Sequence, residues 1–200
     1  MNHSMKNVVP YFKALAHPTR VEILREIFNK KVVNPNWMKK KTGKSSKYVY
    51  DQLRFLSKPS LGNVLKAVHL GVVFLLNKKL KVKLTDVDSG KMMTLDDMSA
   101  DEVAKLGFAL SHEKRAEIYD VLFEAHKRGQ HLSFTTIART LGLERWRVIQ
   151  LCQQLADAGI VEATSNEEVR LKKIVEIEIE DLELHPSEVL LTMLEIGLLR

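Results

Sequence analysis

The stretch "KKKTGKSSKYVYDQLRF", residues 39 to 55, gathers side chains suited to holding a polyanion. Lys39, Lys40, Lys41, Lys44 and Lys47 bring charge, Ser45 and Ser46 bring small hydroxyls, and Tyr48, Tyr50 and Arg54 follow. Val49, Leu53 and Leu56 recur at helical spacing and take an inward face, which leaves the cations, the hydroxyls and Asp51 outward or at the edge. Lysines in such a row neutralise phosphates, and small hydroxyls add phosphate bonds and shallow base contacts. Further on, Lys78, Lys79, Lys81 and Lys83 accompany Leu80, Val82 and Leu84 in a strand-like alternation that could reach a neighbouring backbone or minor groove. A second predicted helix exposes Glu144, Arg145, Trp146, Arg147 and Gln150. There the arginines could read guanine beside a stacking indole, or Trp146 could pack against the first half or a dimer mate while the arginines pair with acids.

The charge distribution favours the polyanion reading in one half only. Residues 1 to 84 hold 18 Lys and Arg against three acids, Glu22, Glu26 and Asp51, a net +15; the remainder holds 13 basic and 22 acidic residues, a net −9. Such a split points to nucleic acid as the partner of the first half.

The elements that must position these residues come in two sets. "ALAHPTRVEILREIF" at 14 to 28 returns as "ALSHEKRAEIYDVLF" at 109 to 123, with seven of fifteen positions identical. Two unrelated amphipathic helices would share a period but not His17 and Arg20 as His112 and Arg115, so a duplicated unit is the better account. Leu15, Val21, Leu24, Ile27 and Phe28 fit one helical face in the first copy, with Pro18 near its start and His17 or Thr19 near the cap; Leu110, Ile118, Leu122 and Phe123 fit the second, starting from Ser111. After the second copy, Ser133 can cap a short helix that Gly142 ends, and a longer helix carries Val148, Leu151, Cys152 and Leu155 until Gly159 precedes a strand from Ile160 to Ala163. Helix, tight turn, helix, strand is the layout of a winged helix-turn-helix. The first copy repeats it, with Gly43 at the turn.

The opening "ALAHPTRVEIL" resembles that of ArsR-family winged-helix regulators, and "LGLERWRVIQLCQQLADAGIVEA" resembles the helix-turn-helix of the same family. The likeness spans about residues 10 to 84 and 100 to 180. It implies a mainly α chain with small β wings, an α+β protein of two tandem winged helix-turn-helix domains: 1–88, basic and DNA-binding, and 89–200, ending in a C-terminal assembly helix. The first unit departs from the family after Leu56, where Pro59 and Gly62 break the helix. A short helix is expected within Leu61 to Leu70, wing strands from Val72 onward, and an acidic join from Asp86 to Asp101. "EVRLKKIVEIEIEDLEL" alternates as a strand or hairpin with one wet face, and Val189, Leu190, Met193, Leu194 and Leu198 form the apolar face of a last helix capped by Ser187, expected to be buried in this protein or against a dimer partner.

Other chemistries find little footing. Cys152 is the single cysteine, no His or Cys cluster has zinc spacing, and no phosphate-loop or nucleophile-elbow motif is present. His17 and His112 read as capping or packing residues. The longest apolar stretch, Val72 to Leu76, is too short to cross a bilayer. The resulting expectation is a non-enzymatic regulator without metal or cofactor, cytoplasmic and nucleoid-associated. Its partners are double-stranded DNA and a possible second copy, with no membrane and an unknown small-molecule effector. A replication initiator and a winged-helix protein-interaction module are the rival readings.

Overall fold

The repeated stretch folds as a corner between two helices, and the two corners hold the chain together. The structure, a computed structural model, describes residues 4–68, 73–164, 167–195 and 197. Its first half runs α1 (Met5–Leu15), α2 (Pro18–Lys30), β1 (Val32–Val33), α3 (Pro35–Thr42), α4 (Ser46–Leu56), a 3₁₀ turn (Pro59–Leu61), β2 (Leu65–Val68), β3 (Val73–Leu76) and β4 (Lys78–Asp86). After β5 (Met92–Thr94) the order returns: α5 (Ala100–Leu110), α6 (Glu113–Lys127), β6 (Leu132–Ser133), α7 (Phe134–Leu141), α8 (Arg145–Asp157), β7 (Val161–Ala163), β8 (Glu168–Leu171) and β9 (Lys173–Asp181), closed by α9 (Pro186–Glu195). The chain is thus a helix-rich α+β protein with three small antiparallel sheets, ordered β1-β3-β2, β5-β4-β9 and β6-β8-β7.

At each corner a histidine starts the second helix. His17 Nδ1 accepts the Thr19 N–H at 3.2 Å, and His112 Nδ1 accepts the Lys114 N–H at 3.2 Å. The arginine three residues on turns back: Arg20 donates to the Ala14 and Lys13 carbonyls, and Arg115 donates to those of Ala109 and Phe108. Carbonyls at a helix C-terminus have no intrahelical partner and carry partial negative charge, so a guanidinium satisfies them twice over. The shared His and Arg of the repeat are therefore corner residues. Leu15 and Leu110, expected on the helices that follow, instead end α1 and α5.

Helix α1 itself is not evident from the sequence, because Pro10 lies inside it and removes an internal hydrogen bond. Burial offsets that loss: Met5, Val8, Val9, Phe12, Ala14 and Leu15 are all buried, packed on α5 and α6. The approach to α5 is close at Gly107, where an added Cβ would stand 2.7 Å from the Ala16 nitrogen. Ser99 and Glu102 form a complete capping box that starts α5 within the stretch expected to be a mere join.

The expected wing strand is the largest departure. β4 pairs along its whole length with β9, so the alternating lysines meet the alternating acids. Leu80, Val82 and Leu84 lie opposite Ile179, Ile177 and Val175 on one face, while Lys79, Lys81 and Lys83 lie opposite Glu180, Glu178 and Glu176 on the other. β4 starts at 78 and β9 at 173, 95 positions later, and the same step relates α1 to α5. In this register Val82 faces Ile177, its own counterpart, so the pair is arranged as a strand meeting its copy about a two-fold axis. Between two copies of β4 the same register would set Lys81 against Lys83, which like charge disfavours.

Other expectations shift with this. The cut after residue 88 falls where the Asp88 carboxylate grips Arg170 in two bonds of 2.7 and 3.1 Å, and one hydrophobic cluster runs through both halves. The 3₁₀ turn and β2 replace the helix expected from Leu61; residues 69 to 72 lie outside those described. α9 is not capped by Ser187, which lies in its first turn; the His185 carbonyl accepts the first helical bond, from Val189 N–H. Within the single chain its apolar face is not buried: Leu190, Leu191 and Leu194 are 53, 62 and 51% exposed, which leaves burial against a second copy as the remaining expectation, and the helix is tied to the first half by Lys30–Glu195 and Lys31–Glu188 pairs. Leu198 lies outside the described residues. Among the described residues no helix is long and apolar enough to cross a membrane.

The strand pair gives a direct test. Lys81→Glu with Lys83→Glu sets like charges along β4–β9 and is expected to lower the midpoint of a urea melt. Adding Glu176→Lys and Glu178→Lys should restore the midpoint.

Candidate nucleic-acid interface

Helices α3 and α4 hold the lysine-rich stretch through two caps and a glycine. Asn34 accepts the Trp37 N–H at 2.6 Å with Pro35 opening α3, and Gly43, in the left-handed region at φ 68°, ends it. Ser45 then caps α4 by accepting the Tyr48 N–H at 3.3 Å. Val49, Leu53 and Leu56 are fully buried, as their spacing requires. The opposite side exposes Lys39, Lys40, Lys41, Lys44, Lys47, Asp51 and Arg54.

None of Lys39, Lys40, Lys41, Lys44, Lys47 and Arg54 has an acidic partner within 4.0 Å among the described residues. Lys41 lies over the Trp37 ring at 5.5 Å and Arg54 over Tyr50 at 5.8 Å, contacts that orient the charge without neutralising it. The remaining members are engaged locally. Ser45 is spent on the cap, Ser46 Oγ reaches Asn36 Oδ1 at 3.5 Å, and half-buried Tyr50 meets the Phe74 ring edge-on. Tyr48 Oη lies 3.3 Å from His17 Nε2.

The other lysine group is placed differently. Lys81 pairs with Glu178 and Glu180 at 3.6 and 3.2 Å, Lys83 with Glu176 at 3.4 Å, and Lys78 with Asp181. Lys79 is half-buried opposite Glu180. The expectation that these four serve a wing is corrected on that ground: an acidic strand already faces them. Two cations were missed. Lys66 is exposed on β2, which packs beside α4, and was hidden by reading that segment as a helix; exposed Lys58 lies over Phe55 at 5.2 Å.

The α7–α8 corner repeats the geometry with other chemistry. Ser133 caps α7 by accepting the Thr136 N–H at 3.1 Å, and Gly142 ends it at φ 62°. Gly142 stands 99 positions after Gly43, and on that step Lys39, Lys44, Lys47 and Tyr48 become Ala138, Leu143, Trp146 and Arg147. Arg145 is paired with Glu167 at 2.6 Å, and Arg147 reaches Gln150 at 3.4 Å. Trp146 is 59% exposed with Ile149 beside it on the open side of the helix, so packing of the indole against the first half does not occur. Cys152 is buried, and burial pushes its thiol up to about 12. No cluster of three metal-binding side chains occurs among the described residues.

Both corner histidines titrate low, first because they are partly buried and then because Arg20 or Arg115 lies beside them. A depressed histidine pKa means that its contribution to stability is complete above the unfolded value of about 6.5 and is lost as pH falls through the folded value. The midpoint of thermal unfolding should therefore drop between pH 7 and pH 5. His17→Asn with His112→Asn, which retains a capping acceptor, should flatten that drop.

Comparison with protein-family models, curated proteins and solved structures finds no match to this chain.

Proposed function

We propose that the protein is a sequence-specific double-stranded DNA-binding transcriptional regulator, a tandem winged-helix chain resembling ArsR regulators, that acts by occluding promoter DNA. The observation that carries this reading is the row of five exposed lysines, 39, 40, 41, 44 and 47, at the α3–α4 corner, which have no carboxylate partner within 4.0 Å among the described residues. In a helix-turn-helix the second helix enters the major groove by its N-terminal end while flanking cations hold phosphates. On this reading α4 is the reading helix, Lys44 and Lys47 flank its start, and Lys39, Lys40 and Lys41 approach the backbone from α3.

The second unit is assigned to assembly. Its corner offers Trp146 and Ile149 where the first offers Lys47 and Tyr50, and the net charge of its half, −9, repels a polyanion. Exposed leucines on α9 favour the same division, with homodimer formation as the candidate outcome. Promoter occlusion places the protein on the nucleoid, in the cytoplasm.

Binding of a random-sequence duplex across a potassium chloride series tests the reading. The whole chain should bind with a steep salt slope. Lys44→Gln with Lys47→Gln should lower the slope of log K against log salt by about 1.8, two phosphate contacts at roughly 0.9 each. Unchanged binding by the double variant would rule this corner out, and no binding by the parent chain at low salt would favour the interaction-module reading.

A further inference from the structure

We propose that His17 fixes the Tyr48 hydroxyl as an outward hydrogen-bond donor to a backbone phosphate of the bound nucleic acid, His17 serving as a positioning residue and Tyr48 as the contact. The inference rests on the DNA-binding reading and adds to it an uncharged contact and the residue behind it.

The tautomer follows from the cap. His17 Nδ1 accepts the Thr19 N–H, so that nitrogen carries no proton, and the neutral ring bears its hydrogen on Nε2. Nε2 lies 3.3 Å from Tyr48 Oη, with the two rings tilted at 55° and their centroids 6.4 Å apart. Nε2–H must then donate and Oη accept. The phenolic hydrogen has no acceptor among the described residues and remains to be given away. Burial and the neighbouring charges of Arg20 and Lys44 disfavour protonation of His17, which keeps the ring in the form this relay needs.

The position suits a phosphate. Tyr48 is the third residue of α4, within the first turn of the helix and adjacent in sequence to Lys47, and Lys44 is close enough to act on His17 electrostatically. Lysines attract a phosphate without fixing its direction; a hydroxyl held at one lone pair has a defined axis. The second unit lacks the device although it keeps the histidine. His112 caps α6 in the same way, but the place of Tyr48 is taken by Arg147, whose charge acts against Arg115 and His112. The hydroxyl relay occurs at the lysine-rich α3–α4 corner and is missing from the α7–α8 corner, which carries no lysine between Phe134 and Asp157.

The experiment is fluorescence anisotropy of a labelled random-sequence duplex with the full chain, Tyr48→Phe, His17→Asn and the double variant, over a potassium chloride series, each first checked by thermal unfolding. A neutral donor contributes affinity without releasing a counterion. Tyr48→Phe should therefore weaken binding about threefold to tenfold at every salt concentration and leave the salt slope unchanged. His17→Asn, which keeps a capping acceptor, should weaken binding by a smaller factor, and the double variant should bind no more weakly than Tyr48→Phe alone. If Tyr48→Phe binds as the parent does, or if the two single losses multiply in the double variant, the inference is overturned while DNA binding stands. A parent chain that does not bind at low salt overturns both. Should His17→Asn unfold, Tyr48→Phe decides by itself.

Discussion

The antiparallel pairing of β4 with β9 is the constraint on which the rest of the molecule depends. It joins the last strand of one structural unit to the last strand of the other, centred where Val82 meets its counterpart Ile177. Magnitudes separate two roles within it. Leu80, Val82, Leu84 and Val175 are buried, each worth roughly 1.5–3 kcal/mol relative to exposure. The surface ion pairs are screened by solvent and contribute far less. Apolar burial therefore holds the strands together, and the charges choose which strands meet.

That choice explains part of the charge asymmetry, since four of the 18 basic residues of the first half lie on β4. A unit that paired with its own copy would place lysine against lysine or glutamate against glutamate in this register. Dividing the charges, lysines on β4 and acids on β9, makes each unit complementary to the other within one chain. Part of the basic excess of the first half is thereby accounted for without nucleic acid. The lysines of the α3–α4 corner are not: they stand exposed, and none has an acidic partner within 4.0 Å among the described residues. The polyanion reading thus rests on fewer residues than net charge suggests, concentrated at one corner.

Local signals were legible in the sequence and non-local ones were not. Gly43 and Gly142 at the turns, the Ser133 cap and the inward triad Val49, Leu53 and Leu56 follow from short-range stereochemistry, and each lies where its pattern puts it. The alternation of Lys79, Lys81 and Lys83 with Leu80, Val82 and Leu84 correctly implies a strand with one wet face. It carries no information about what faces the lysines, because a wing and a charged strand pair have the same pattern. α1 was hidden by Pro10, whose local cost is overridden by tertiary burial of Phe12 and its neighbours. The apolar residues of α9 suggested burial, yet Leu190, Leu191 and Leu194 face outward while Val189 and Met193 are partly covered. In the candidate site the residue types were legible, but not that Ser45 is occupied by a cap or that Tyr48 meets His17 from the repeated stretch.

On the proposed function two similar corners differ in role, α3–α4 reading DNA and α7–α8 serving assembly. Backbone hydrogen–deuterium exchange of the full chain, with and without a saturating duplex, measures both corners at once. Exchange should slow in residues 35 to 56 and stay unchanged in residues 134 to 157 if the proposed division of roles holds. Protection confined to residues 134 to 157, or spread equally over both corners, would contradict it.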